Sequence, residues 1–132
     1  MAGPFPSTDG NAVPALDDTE LGGLLDDLDG IHAGIDLIRD GIRLIALERL
    51  TPEQTQLLTV TLAGSPDGTD VLGLIAQAVA RLTDPDTNPA LRTLPFDRQK
   101  TCQQAGEHLV FDLADPNLRD HASRASAAIH TD

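Results

Sequence analysis

The sequence predicts an all-α protein: a single-domain helical bundle of about five helices with a long central N-terminal helix. Three observations predict it. Apolar residues recur at helical spacing in one segment after another. The segments open on cap residues, several followed directly by proline, and the second ends on glycine. The only aromatic residues are Phe5, Phe96 and Phe111, so the core has to be built from Leu, Ile, Val and Ala. The one alternating run, "LLTVTLAG", falls inside the pattern of the second helix and is not read as a strand.

Residues 1–16 are rich in Pro, Gly, Ser and Asn without periodicity and read as a flexible tail. Within it Pro4-Phe5-Pro6 reads as part of an ordinary terminus rather than a docking peptide. The helical domain is assigned to residues 17–132. Asp17, with Glu20 three residues on, resembles a capping box, and the helix it starts is expected to run to about Leu50. Thr51 caps the second helix, Pro52 occupies its first turn, and Glu53 and Gln54 suit the positive end of the dipole. Gly64 ends it after Ala63. "GSPDGTD" is a loop. The third helix spans roughly Asp70 to Leu82, with Val71, Leu72, Ile75, Val79 and Leu82 on one side. "TDPDTNP" is the next loop, and Asn88-Pro89 opens a short turn through Leu94. Asp97 is read as the cap of a fourth helix, roughly Arg98 to Leu113. Asp115-Pro116 repeats the cap-then-proline device and opens the fifth, to about Ile129.

The first helix carries the most regular pattern. With Leu21 at heptad position a, the a positions are Leu21, Leu28, Ile35 and Ile42, and the d positions are Leu24, Ile31, Ile38 and Ile45. Eight Leu or Ile without an exception mark a bundle or coiled-coil seam, each worth about 1.5–3 kcal/mol when fully buried. Gly23 and Gly30 fall at c, Gly34 and Gly41 at g, beside the d side of the seam. Leu37 and Leu44 also fall at c, so a second face lies next to the first. Asp26, Asp29, Asp36, Asp40 and Arg43 occupy the wet sector. Four mid-helix glycines cost roughly 3–4 kcal/mol against alanine, too much to carry idly. Either the helix breaks near Gly30, or a second helix approaches the bare face closely. The unbroken heptad favours close approach, with helix one at the centre of the bundle and one partner drawn from a second subunit. The surrounding acids exclude a membrane, so the Gly30-x-x-x-Gly34 spacing carries over only its steric logic.

The chemistry-bearing clusters are sparse. Asp27-x-Asp29-Gly30 with Asp36 resembles part of a calcium loop, but Leu25 stands where the first ligand belongs, and a solvated acidic helix face is preferred. Asp84-x-Asp86-x-Asn88 has Pro89 in place of the required glycine, so it reads as turns and a cap. His108 and Asp112, four apart, share a helix face and are the one candidate pair for a metal or substrate. Cys102 has no local activator and reads as a small buried hydrophobe. Nucleophile-elbow and phosphate-loop patterns are absent. No cofactor, metal or catalytic residue is assigned.

The net charge is −12 over 132 residues, and residues 1–38 hold eight acids and no Lys or Arg. Direct binding to nucleic acid or an anionic membrane is thereby disfavoured. The single cysteine fits a reducing compartment, and the opening residues lack a signal peptide's basic and apolar regions, so a cytoplasmic location is expected. Arg outnumbers Lys eight to one, the bias of a GC-rich bacterial genome. The favoured function is a non-enzymatic helical interaction or regulatory protein, a homodimer associating through Leu21, Leu24, Leu28, Ile31, Gly34, Ile35, Ile38, Gly41, Ile42 and Ile45. The alternatives are an acidic decoy that mimics nucleic acid toward a basic DNA- or RNA-binding partner, and a small helical enzyme or metal-binding protein using His108 and Asp112.

Overall fold

The structure, a computed structural model, describes residues 12–130. Most of the expected tail, with Pro4-Phe5-Pro6, lies outside them. The described residues form six α-helices: α1 (Glu20–Asp27), α2 (Ala33–Leu47), α3 (Pro52–Ala63), α4 (Val71–Leu82), α5 (Phe96–Leu113) and α6 (Asp120–Ile129). Two 3-10 turns, Pro89–Thr93 and Pro116–Arg119, precede α5 and α6. There is no strand among the described residues. The chain divides into two compact units between Leu50 and Thr51.

In the first unit the expected long helix is two helices. α1 stops at Asp27 and α2 restarts at Ala33. Asp26 and Asp27 put negative charge at the negative end of the α1 dipole. Gly30 then takes φ +74°, a left-handed conformation that halts a helix. His32 caps the restart, its Nδ1 accepting from the Gly34 backbone N–H at 2.8 Å. The break, not close approach, accounts for Gly30 and Gly34: a methyl on Gly34 would meet only the His32 ring, and one on Gly23 or Gly41 would meet nothing within 4 Å. Thr19 rather than Asp17 caps α1, accepting from Gly22 N–H at 3.0 Å.

Arg39 holds the break together. Its side chain is buried in the middle of α2. It donates to the Leu25 carbonyl and to Asp29 at 3.2 Å, and lies 3.6 Å from Asp36. Asp36 in turn accepts from the Gly30 N–H at 3.1 Å. Two of the acids that resemble a calcium loop, Asp29 and Asp36, are thus engaged in turning the chain. Leu25 and Arg39 are the buried residues among those described in this unit.

In the second unit α3 packs on α6, α4 on α5, and α3 on α4. Thr51 and Gln54 form the capping box of α3, and Pro52 fills its first turn. α5 begins at Phe96 after Pro95, without a side-chain cap, so Asp97 sits inside its first turn rather than before it. Asp115-Pro116 opens a 3-10 turn that runs directly into α6. Close approach of the kind expected near Gly34 occurs here. A methyl on Gly106 would collide with Thr83 Oγ1 and stand 3.2 Å from Ala80 Cα, so α5 lies against α4 where only glycine fits. Gln56 donates to the Ser126 carbonyl at 3.1 Å, and Ser123 to the Gly64 carbonyl at 2.7 Å, tying α3 to α6.

These environments set the sign of three glycine substitutions. Gly106→Ala is expected to destabilise, because overpacking of about 1–3 kcal/mol outweighs the better helix propensity. Gly30→Ala is expected to cost about 1–2 kcal/mol, the strain of a left-handed residue carrying a Cβ. Gly23→Ala, in open space, is expected to stabilise by about 0.8–1 kcal/mol. Thermal melts followed by circular dichroism check the order; a stabilising Gly106→Ala contradicts the close α4–α5 contact.

Candidate functional site

The face of α2 opposite Arg39 is the most distinctive surface of the molecule. At 3.6 residues per turn, Gly34, Leu37, Ile38, Gly41, Leu44 and Ile45 share one sector of the helix. Leu37 is 72 % exposed, Leu44 66 % and Ile38 52 %. Ile45 is half-buried and Gly41 exposed. The charged residues of the helix, Asp36, Arg39, Asp40 and Arg43, lie outside this sector, and Arg43 is 3.7 Å from Asp40. The first charge reached along the open face is Glu48, at the C-terminal cap. Leucines flank a bare glycine strip, so the surface has both ridges and a groove.

The seam residues named from the sequence divide between two environments. Ile35 and Ile42 are half-buried on the Arg39 side of α2. Ile38, Gly41 and Ile45 belong to the open face. Leu21, Leu24 and Leu28 are exposed on α1 and at its end, and Ile31 is exposed in the break. Gly34 is spent in the first turn of α2, beside its own cap. The structure therefore does not align all ten on one continuous helix. It presents the c, d and g positions of the upper heptads together and turns the a and e positions inward.

The second unit has the deeper electrostatics. Arg119 is fully buried, and donates through Nε and Nη2 to the two oxygens of Asp70 at 2.9 and 3.0 Å. A third donation goes to the Leu113 carbonyl. Asp70 also caps α4, accepting from Gly73 N–H at 2.8 Å, and from Ser65 N–H at 3.2 Å. Its carboxyl is held down from 3.8 to about 2, first by the Arg119 hydrogen bond, against desolvation that pulls it up. The pair borders a cleft of about 320 Å³ lined also by Asp67, Thr69 and Gln77. Among the described residues no buried side-chain polar atom lacks a partner, so the pair's own bonding is complete. Sequence reading missed both roles: the partners are 49 residues apart, and neither lies in a periodic pattern. The one local signal was Asp70 after a turn and before an apolar run, the position of an N-cap.

His108 and Asp112 are both exposed on α5, and no hydrogen bond or ion pair joins them. Asp84 accepts from Asp86 N–H at 2.9 Å, and Asn88 caps the first 3-10 turn, so that cluster is a turn. Cys102 is half-buried in α5. Among the described residues no three His, Cys, Asp or Glu groups are placed to hold a metal ion, and no helix is long and apolar enough to cross a membrane. No protein-family model, no curated protein and no solved structure matches the chain.

The Asp70–Arg119 pair fixes an acid limb of stability. Because the folded carboxyl titrates lower than the unfolded one, its contribution is full above the ordinary 3.8 and disappears as pH falls through about 2. Asp70→Asn retains a good capping residue but strands the buried guanidinium, and is expected to cost about 3–5 kcal/mol at neutral pH. Urea midpoints across pH 2–7, on the order of the carboxylate range, check both. An Asp70→Asn midpoint within error of the parent's contradicts the assignment.

Proposed function

We propose that the chain is a non-enzymatic helical interaction protein, of the regulatory class, that forms a homodimer through the open face of α2. The observation that carries the reading is the uncharged strip of Leu37, Ile38, Gly41, Leu44 and Ile45, largely exposed among the described residues. Its unit is small, and among its described residues Leu25 is the one buried large apolar side chain. Units near the lower size limit usually need a disulfide, a metal or association to be stable, and the single Cys102 lies in the other unit.

A second copy is the occupant that fits. A twofold contact sets one patch against itself and so needs knobs and holes on the same surface. Here Leu37 and Leu44 supply knobs and the bare Gly41 supplies the hole. With no charge in the strip before Glu48, two copies of an acidic chain can meet there without placing carboxylates opposite one another. The fifteen residues of α2 make a contact about 22 Å long. Leu24, Leu28 and Ile31 supply further exposed apolar surface in the same unit, toward the ~800 Å² per partner of a standard interface. The single cysteine fits a reducing compartment, and the reading places the protein in the cytoplasm.

Light scattering on the parent is expected to give twice the chain mass of 14.0 kDa. Leu44→Glu is expected to give the monomer with the helical dichroism retained. Gly41→Ala separates the alternatives by sign: in open solvent the methyl stabilises by about 0.8–1 kcal/mol, at a helix crossing it costs about 1–3 kcal/mol. A monomeric parent at high concentration, with a stabilising Gly41→Ala, overturns the reading.

A further inference from the structure

We propose that a groove at the C-terminal end of α5 takes a short basic, apolar segment of a partner protein. The groove is lined by Phe111, Asp112, Ala114, Asp115, Pro116 and Leu118, with a volume of about 560 Å³, within the ~300–1,000 Å³ range of binding pockets. It lies wholly in the second unit and goes beyond the dimer reading, which concerns α2.

The floor is apolar and open. Phe111 is 80 % exposed and Leu118 50 % exposed. An aromatic ring left in water beside a proline and an aliphatic side chain is the composition of an anchor site rather than of ordinary surface. The rim is acidic. Asp112 and Asp115 stand at the groove, and neither forms an ion pair among the described residues. The Asp115 carboxylate accepts from the Asn117 N–H at 2.9 Å, and the buried Arg119 guanidinium, which also donates to the Asp115 carbonyl at 3.5 Å, offsets part of its charge. Arg119 is fully buried and forms its ion pair with Asp70, so the exposed side of the rim keeps an excess of acid.

Charge complementarity therefore selects the occupant. A segment that places a Leu or Phe on the Phe111–Leu118 floor, with Arg or Lys on either side, answers both features at once. A nucleic acid or an anionic lipid surface would meet the two carboxylates with like charge. A purely basic chain would gain only the screened, long-range attraction that a net charge of −12 offers any polycation.

The test uses the full chain and three fluorescein-labelled peptides, read by anisotropy at moderate salt. The first carries Leu and Phe between paired Arg and Lys; the second keeps those charges and replaces Leu and Phe by Ser; the third keeps Leu and Phe between Asp and Glu. The first is expected to bind at least about tenfold tighter than the second, a gap of roughly 1.4 kcal/mol, and the third not at all. Phe111→Ser, at an exposed site that the helix does not need, is expected to reduce that preference to about threefold or less. Asp112→Lys is expected to weaken the first peptide about tenfold and to flatten its salt dependence. Equal binding of the first two peptides, or a preference that survives Phe111→Ser in protein with unchanged helical dichroism, overturns the proposal. So does failure of the first peptide to bind while the parent mass is unchanged, an outcome that leaves the α2 dimer standing.

Discussion

Each unit of this chain is organised around a buried arginine. In the second unit Arg119 ends a 3-10 turn, enters α6, and reaches back to the cap of α4. That reach adds a polar fastening to the α3–α4 contact between two helix pairs: α4 with α5, and α3 with α6. A charge in the interior is costly unless every donor finds an acceptor in good geometry. The guanidinium meets this condition with a bidentate carboxylate and the Leu113 carbonyl, and Asp70 is in turn fixed by two backbone N–H groups. The same atoms cap α4, so the helix start and the tertiary fastening are one feature. Arg39 repeats the device in the first unit, where it satisfies the Leu25 carbonyl at the end of α1 and draws in Asp29 and Asp36.

Polar fastenings of this kind suit a chain with so little bulk to bury. Without Trp or Tyr, and with Phe96 and Phe111 both exposed, the helices are held by aliphatic side chains and by short approaches. α5 meets α4 where Gly106 leaves room for Thr83 and Ala80. α6 meets α3 through serine and glutamine hydrogen bonds to part-buried backbone carbonyls. Small residues bring backbones together and replace part of the dispersion energy that larger side chains would supply. The large apolar side chains are left available at the surface instead.

Local chemistry was legible in the sequence, and non-local chemistry was not. Thr51-Pro52, Asn88-Pro89 and Asp115-Pro116 each start helical structure as their cap and proline require, because a cap is satisfied within three residues. The seam of the first helix misled in one respect. A heptad count registers only which positions are apolar, and Ile31 keeps the phase across a gap where the backbone is not helical. What ends the helix is the dihedral freedom of Gly30 and the unfavourable carboxylates just before it, neither of which enters the count. Arg39, at heptad position e, carried no apolar signal at all, and the inward stripe consequently lies on the a and e side. The second face, read from Leu37, Leu44 and the glycines, survives as the open face of α2. Asp70 and Arg119 were out of reach because their meeting depends on how four helices pack.

The buried arginine and the open leucines of α2 are consequences of one another. Among the described residues of the first unit α2 is accompanied by the short α1, and one apolar half of its circumference stays exposed. Arg39 spends its long stem and planar head on the inward half, covering the end of α1 with few residues. The inward half then needs little more than Ile35 and Ile42 beside it. Leu37, Ile38 and Leu44 are left exposed and Ile45 half-buried, around Gly41, whose added methyl would meet nothing within 4 Å. Burying those four against a matching surface recovers roughly 1.5–3 kcal/mol each when complete, and it gives Gly41 the close neighbour that its helix cost otherwise lacks. Sequence cost and exposed area thus point to the same face of α2, by arguments that share no observation.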